Sequence, residues 1–193
     1  MFNGIVTQTG KIHRIHKIKK NCILEIISNM HFNKSEVGSS ISCSGACLTL
    51  ESYRRNIAKF YLSKETLKRT IFKSLKKDSI VNLEKSLKYG QRISGHFVQG
   101  HVDTISSVNN IKLIGKSWLV TFKLNKIFRK YIVEKGSITI NGVSLTISGI
   151  LKDGFEVSLV PHTLKKTNLI KLKKKELVNF EFDILGKYIR NFI

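Results

Sequence analysis

Four side chains stand out for the chemistry their types allow and for where they sit. His101 lies in Gly95-His96-Phe97-Val98-Gln99-Gly100-His101-Val102-Asp103, and an imidazole, with an unperturbed pKa near 6.5, is the natural side chain for moving protons around neutrality. Cys47, in Ser44-Gly45-Ala46-Cys47-Leu48-Thr49, and Ser144, in Asn141-Gly142-Val143-Ser144-Leu145-Thr146, occupy matching places in two similar loops. A thiol or hydroxyl there can orient a ligand or activate a nucleophile or water. Lys135, just ahead of the second loop, offers a cation to developing negative charge. Other constellations are incomplete. Cys43 and Cys47 form a C-x₃-C pair and His96 and His101 are five apart, but no second ligand pair completes a zinc pattern. The repeated Gly-His of residues 95–101 lacks the strand-to-helix setting of a nucleotide loop. No metal, nucleotide or other cofactor is expected.

The matching loops belong to a wider repeat. Cys47-Leu48-Thr49 returns as Ser144-Leu145-Thr146, Thr66-Leu67-Lys68 as Thr163-Leu164-Lys165, and Val81-Asn82-Leu83-Glu84 as Val178-Asn179-Phe180-Glu181, each 97 positions later. Ser40-Ile41 against Ser137-Ile138 and Gly45 against Gly142 keep that register, while Gly4-Ile5-Val6 is echoed by Gly100-His101-Val102 at an offset of 96. The chain therefore reads as two homologous units, residues 1–88 and 92–184, followed by a short helix over residues 185–193.

Within each unit the pattern is β. Ser137-Ile138-Thr139-Ile140 and Val143-Ser144-Leu145-Thr146-Ile147 flank Asn141-Gly142, a two-residue hairpin signal because both turn positions need positive φ. Ser44-Gly45 holds the same place in the first unit. Further alternating runs at residues 22–27, 57–62, 118–124 and 155–160 predict several short strands per unit. The fold class is all-β: two tandem six-stranded Greek-key barrels. One short helix is expected over residues 125–134 behind an Asn125 cap. Ile184, Leu185, Tyr188, Ile189, Phe192 and Ile193 draw an apolar stripe on the C-terminal helix, which must pack on its own barrel or on another subunit.

Composition bounds the rest. A hydrophobic fraction of 41%, one Pro and 13 Gly describe a chain that folds throughout. No run approaches the 18 to 20 apolar residues of a membrane span, residues 1–10 lack a signal-peptide layout, and three irregularly spaced cysteines suit a reducing compartment. A soluble, cytoplasmic protein is expected. The net charge of +21 attracts polyanions non-specifically, but Lys and Arg recur along the whole chain without interleaved stacking aromatics, which disfavours a dedicated nucleic-acid module.

Five segments, Met1-Phe2-Asn3-Gly4-Ile5-Val6, the Cys47 and Ser144 loops, residues 95–103 and Pro161-His162-Thr163-Leu164, together resemble the riboflavin synthase family over essentially the whole chain. The resemblance implies a homotrimer assembled with help from the C-terminal helix, with active sites between the N-terminal barrel of one subunit and the C-terminal barrel of its neighbour. It implies cofactor-free dismutation of two 6,7-dimethyl-8-ribityllumazine molecules to riboflavin and 5-amino-6-(D-ribitylamino)uracil. By resemblance, the first pocket uses Gly4, Ile5, Val6, Ser40, Cys47, Leu48, Thr49, Leu62, Ser63 and Thr66. The second uses Gly100, His101, Val102, Lys135, Ser144, Leu145, Thr146, Val160, Pro161 and Thr163. His101 is then the general acid/base, Cys47 and Ser144 orient or activate, and Lys135 stabilises charge on ring carbonyls.

Asn141 stands where this family often has Asp and cannot serve as a base, which shifts proton transfer onto His101 or the substrate. The family also resembles non-catalytic lumazine-carrying proteins that fill a single pocket; survival of both loops here favours catalysis. Joining two copies of one substrate calls for two similar pockets, and orientation of two rings can supply roughly 7 to 11 kcal/mol of the barrier.

Overall fold

A computed structural model describes residues 1–192; Ile193 of the expected apolar stripe lies outside them. The first unit contains β1 (Gln8–Ile18), β2 (Asn21–Ser28), β3 (Ser40–Cys43), β4 (Ala46–Arg54), β5 (Ile57–Leu62), α1 (Lys64–Arg69) and β6 (Ile80–Lys85). The second contains β7 (Thr104–Ile114), β8 (Ser117–Lys123), β9 (Ser137–Ile140), β10 (Val143–Leu151), β11 (Gly154–Leu159), α2 (Pro161–Lys166) and β12 (Leu177–Phe182), and α3 (Ile184–Phe192) follows. The strands close into two antiparallel barrels in the orders β1-β2-β5-β4-β3-β6 and β7-β8-β11-β10-β9-β12, the Greek-key arrangement expected. Closure pairs both sides of every strand, which removes the exposed edges an open sheet would present.

Alternation explains why each strand lies as it does. Leu24, Ile26, Leu48, Leu50, Phe60 and Leu83 point into the first barrel, and Phe122, Phe155 and Phe180 meet at ring separations of 5.3–5.8 Å inside the second. Both hairpin turns have the positive φ that the sequence requires: +42° and +83° at Ser44 and Gly45, +47° and +79° at Asn141 and Gly142.

The helical elements refine the expectation. Residues 125–134 form a 3₁₀ turn, Lys126–Tyr131, in place of an α-helix; Asn125 caps it by accepting from the Ile127 N–H at 3.1 Å. Helices α1 and α2, where the Thr66-Leu67-Lys68 repeat falls, are only six residues long and carry too little periodicity to announce themselves. The α3 stripe does not settle on its own barrel: Leu185, Tyr188, Ile189 and Phe192 are 56–84% exposed. That helix is tied down by its polar side, through the Asp183 carboxylate accepting from Leu185 N–H and a 2.6 Å Lys187–Asp103 ion pair. Among the described residues no helix is long and apolar enough to cross a membrane.

The barrels join through buried amides arranged about a pseudo-twofold axis. Asn82 Nδ2 donates to the Asn141 carbonyl (2.8 Å) and Asn82 Oδ1 accepts from Asn168 N–H (2.7 Å). Its counterpart Asn179 donates to the Ser44 carbonyl (2.8 Å) and accepts from Ile71 N–H (2.8 Å). Both amides are about 1% exposed, so truncating either strands a buried donor and a buried acceptor, each costing about 1–3 kcal/mol. Asn82→Ala and Asn179→Ala should each destabilise the chain by about 2–4 kcal/mol in urea unfolding; a loss under about 0.5 kcal/mol would show that solvent replaces the bridge.

Candidate active site

Cys47 and Ser144 lie at the second position of β4 and β10, immediately past the two turns. Neither loop is completed by its own unit. Ser144 N–H donates to the Gly4 carbonyl (2.8 Å) and Cys47 N–H to the Gly100 carbonyl (2.7 Å). Gly4 belongs to the segment leading into β1, Gly100 to the segment leading into β7. The two segments pair with each other, Phe2 N–H to Val98 carbonyl at 2.7 Å and Val98 N–H to Phe2 carbonyl at 3.1 Å, before each reaches the opposite barrel. Val6 enters the core of the second barrel, and Val102 packs on the core of the first.

Glycine is required at both crossings. Gly4 and Gly100 have φ of +74° and +78°, and a Cβ on either would come within 2.6–2.7 Å of the Ser144 or Cys47 Cβ. This exchange corrects the grouping read from the sequence. Gly4 and Val6, with Ile5 between them, stand with Ser144, Leu145 and Thr146, whereas Gly100, His101 and Val102 stand with Cys47, Leu48 and Thr49.

A buried carboxylate anchors each segment to its parent barrel. Glu84 on β6 accepts from the Asn3 and Gly4 N–H groups (2.9 and 3.1 Å), and Glu181 on β12 accepts from those of Gln99 and Gly100 (2.7 and 2.9 Å). Burial pushes both carboxyls up, Glu84 to about 7, while the backbone N–H groups pull the other way. Neither glutamate was identified as a site residue from the sequence. The repeat of Val-Asn-x-Glu was visible, but its partner was not.

The remaining site residues frame the loops. Ser40 on β3 lies opposite Thr49 on β4. Leu62 ends β5, and the hydroxyl of Ser63 caps α1 by accepting from Thr66 N–H at 3.1 Å. In the second unit Val160 and Pro161 replace that polar cap, and Thr163 follows in α2. Lys135 is exposed with φ +65°, where the first unit has Gly38 at φ +91°. A non-glycine side chain held at positive φ carries a strain of roughly 1 kcal/mol, a conformation this lysine shares with Lys19, Arg55 and Lys175. His101 is exposed on the segment beside Cys47. Asn141 is taken up in structure, its Oδ1 accepting from Asn179 N–H at 2.9 Å. An open groove of about 680 Å³ borders the crossing segment at Asn3, Ile5 and Glu84 and runs toward Met30 and the segment that joins the barrels, without Cys47 or Ser144 in its lining.

Sequence reasoning missed His96. Its ring is buried, with Nδ1 2.7 Å from Ser144 Oγ and Nε2 3.1 Å from Thr139 Oγ1. Burial holds this imidazole below the usual histidine range, against the opposing pull of Asp183. Among the described residues no group of three or more His, Cys, Asp and Glu is placed to hold a metal ion.

Residues 3–86 and 99–183 each match the lumazine binding domain. The chain belongs to the riboflavin synthase family. It is 39% identical to the riboflavin synthase of Actinobacillus pleuropneumoniae over 193 residues, covering 100% of this chain and 90% of that one, and 36% identical to the riboflavin synthase of Bacillus subtilis (strain 168) over the same shares. The family's double barrel is also seen in LumP complexed with riboflavin (TM-score 0.84, 27% identity, 94% of this chain and 99% of that chain) and in LumP complexed with 6,7-dimethyl-8-(1'-D-ribityl) lumazine (TM-score 0.81, 26% identity, 94% and 98%).

In this riboflavin synthase family member the anchoring of residues 3–5 should be pH-linked. Because the folded-state pKa of Glu84 lies above its ordinary 4.5, its contribution to stability is complete below about pH 4.5 and is lost as pH rises through about 7, a swing of roughly 3 kcal/mol. Glu84→Gln should flatten that slope in urea midpoints measured from about pH 5 to about pH 7.5. Parallel wild-type and variant curves would show that the carboxyl titrates as it does in the unfolded chain.

Proposed function

We propose that this chain is a riboflavin synthase in action as well as in family: it binds one 6,7-dimethyl-8-ribityllumazine in each kind of pocket and moves a four-carbon unit from one to the other, yielding riboflavin and 5-amino-6-(D-ribitylamino)uracil. The observation that carries this is the doubled construction of the site. Both units keep the loop, the crossing segment and the anchoring glutamate, as a reaction between two copies of one substrate demands. Backbone groups and the hydroxyls of Ser40, Thr49, Thr66, Thr146 and Thr163 offer partners to the pyrimidinedione edge and ribityl chain, and Leu48, Leu62 and Leu145 offer apolar walls. Reaction begins with loss of a C7-methyl proton. His101 is the proton-transfer group on the Cys47 side and Ser144 its candidate counterpart in the other pocket, Cys47 orients the lumazine beside it, and Lys135 offsets negative charge on the ring carbonyls.

Facing pockets in this reading come from neighbouring subunits of a homotrimer. The exposed face of α3, Leu185, Tyr188, Ile189 and Phe192, supplies an apolar seam of the kind that subunits bury. The compartment that suits such an enzyme, and three free cysteines, is the cytoplasm.

A second reading has an observation of its own: the LumP structures hold lumazine or riboflavin on the same double barrel, so this chain could be a non-catalytic binder. The two are separated by mixing the protein with the lumazine and following riboflavin absorbance. Riboflavin should form, and should still form in excess chelator without added nucleotide; a dialysed, EDTA-treated protein that turns over only after a metal or nucleotide is restored would defeat the cofactor-free mechanism. Binding with no turnover would favour the carrier.

Removing residues 188–193, which spares the Lys187–Asp103 ion pair, should shift sedimentation from trimer toward monomer and lower turnover. A truncated chain that stays trimeric and fully active would mean that the barrels alone hold the assembly.

A further inference from the structure

We infer that His96 is a positioning residue that makes the Ser144 hydroxyl the proton acceptor of the second pocket. The inference rests on the lumazine reading above and assigns it a step.

The geometry is asymmetric in a useful way. His96 is 8% exposed and Thr139 1%, so the imidazole is enclosed and reaches a ligand only through Ser144, which is half-buried at the start of β10. A neutral imidazole has one N–H and one lone pair. With Nε2–H given to Thr139 Oγ1 at 3.1 Å, the Nδ1 lone pair faces the Ser144 O–H at 2.7 Å. Main-chain contacts hold the ring there: His96 N–H donates to the Asn3 carbonyl at 3.3 Å, and Gly95 leaves no room for a Cβ between that carbonyl and Ser144. The first barrel lacks this arrangement. Ser42 stands where Thr139 does, and the Cys47 thiol makes no hydrogen bond among the described residues.

The step balances without a co-reactant. A C7-methyl C–H bond of lumazine breaks and its proton bonds to Ser144 Oγ as the proton of Ser144 passes to His96 Nδ1. The electron pair left on carbon spreads into the ring, and the imidazolium keeps its Nε2–H on Thr139. Elimination later returns the proton by the same path. The second barrel therefore holds the lumazine that is deprotonated, and the first holds its partner.

His96→Asn tests this, because the shorter amide keeps a polar atom near the place of Nδ1 but cannot take a proton. In the full-length protein kcat for riboflavin formation should fall on the order of 100-fold, with the lumazine KM within about threefold of wild type. Adding Ser144→Ala to His96→Asn should lower kcat no further, whereas adding Cys47→Ala should multiply the loss. Nitrogen-15 spectra of wild-type His96 should show the Nε2–H tautomer, and this decides the case if the variant does not fold. An Nδ1–H tautomer, a kcat within about threefold of wild type, or losses at His96 and Ser144 that multiply would each overturn the inference alone. Wild-type protein that makes no riboflavin would overturn the underlying reading together with it.

Discussion

Where the Ser44-Gly45 and Asn141-Gly142 turns meet, a Cβ added to either glycine would come within 2.8 Å of the other's amide nitrogen. Two backbones this close exclude side chains and water, so the polar groups of both turns must find partners across the axis. Asn82 and Asn179 supply them, each reaching past its own barrel to a turn carbonyl of the other. Everything at the site inherits this contact. Cys47 and Ser144 sit two residues beyond the glycines, and the crossing segments can reach them only because the turns already lie together.

The exchange of segments makes each pocket a joint product of both barrels. Glu84 belongs to the first barrel yet fixes the peptide that Ser144 of the second leans on, and Glu181 does the converse for Cys47. Burying a carboxylate is costly unless hydrogen bonds answer it; two short backbone donors to each glutamate do so, at the N–H groups that would otherwise be left without partners. Each loop is thus tied to the other barrel through one buried carboxylate and one main-chain hydrogen bond.

Much of this architecture was legible in the residues. The 97-residue register of Cys47-Leu48-Thr49 with Ser144-Leu145-Thr146, the Asn-Gly turn and the alternating runs carried the two barrels, because strand period and turn chemistry are local properties. Residues 57–62 and 137–140 coincide with β5 and β9. What local chemistry could not carry was the choice of partner. Gly4 reads the same whether it serves Cys47 or Ser144; only the closed topology decides between two equivalent loops, and the assignment to the nearer one in sequence was reversed. His96 stayed hidden beside His101 for a similar reason, since nothing in a Gly-His pair reports which imidazole turns inward. In place of the expected helix, the 3₁₀ turn within residues 125–134 packs its aromatic positions on Phe182, with Phe128 stacked at 5.3 Å and Tyr131 tilted at 5.7 Å, a long-range contact that local periodicity does not report.

The two units share the positions that hold them together and differ at a few places beside the loops. Gly4 and Gly100, Gly45 and Gly142, Asn82 and Asn179, Glu84 and Glu181, identical in both units, join the barrels or anchor the crossing segments, and Leu48 and Leu145, Thr49 and Thr146, Thr66 and Thr163 keep the two loops alike. Positions that differ, Gly38 and Lys135, Cys47 and Ser144, Ser63 and Val160, lie on the loops and helix starts that frame the pockets. The His96 imidazole lies against the Ser144 hydroxyl, whereas the matching Cys47 thiol has no hydrogen-bond partner among the described residues. In the reaction proposed above such differences would have a use: two identical substrates do not differ in chemistry, so whatever distinguishes their roles has to come from the pockets.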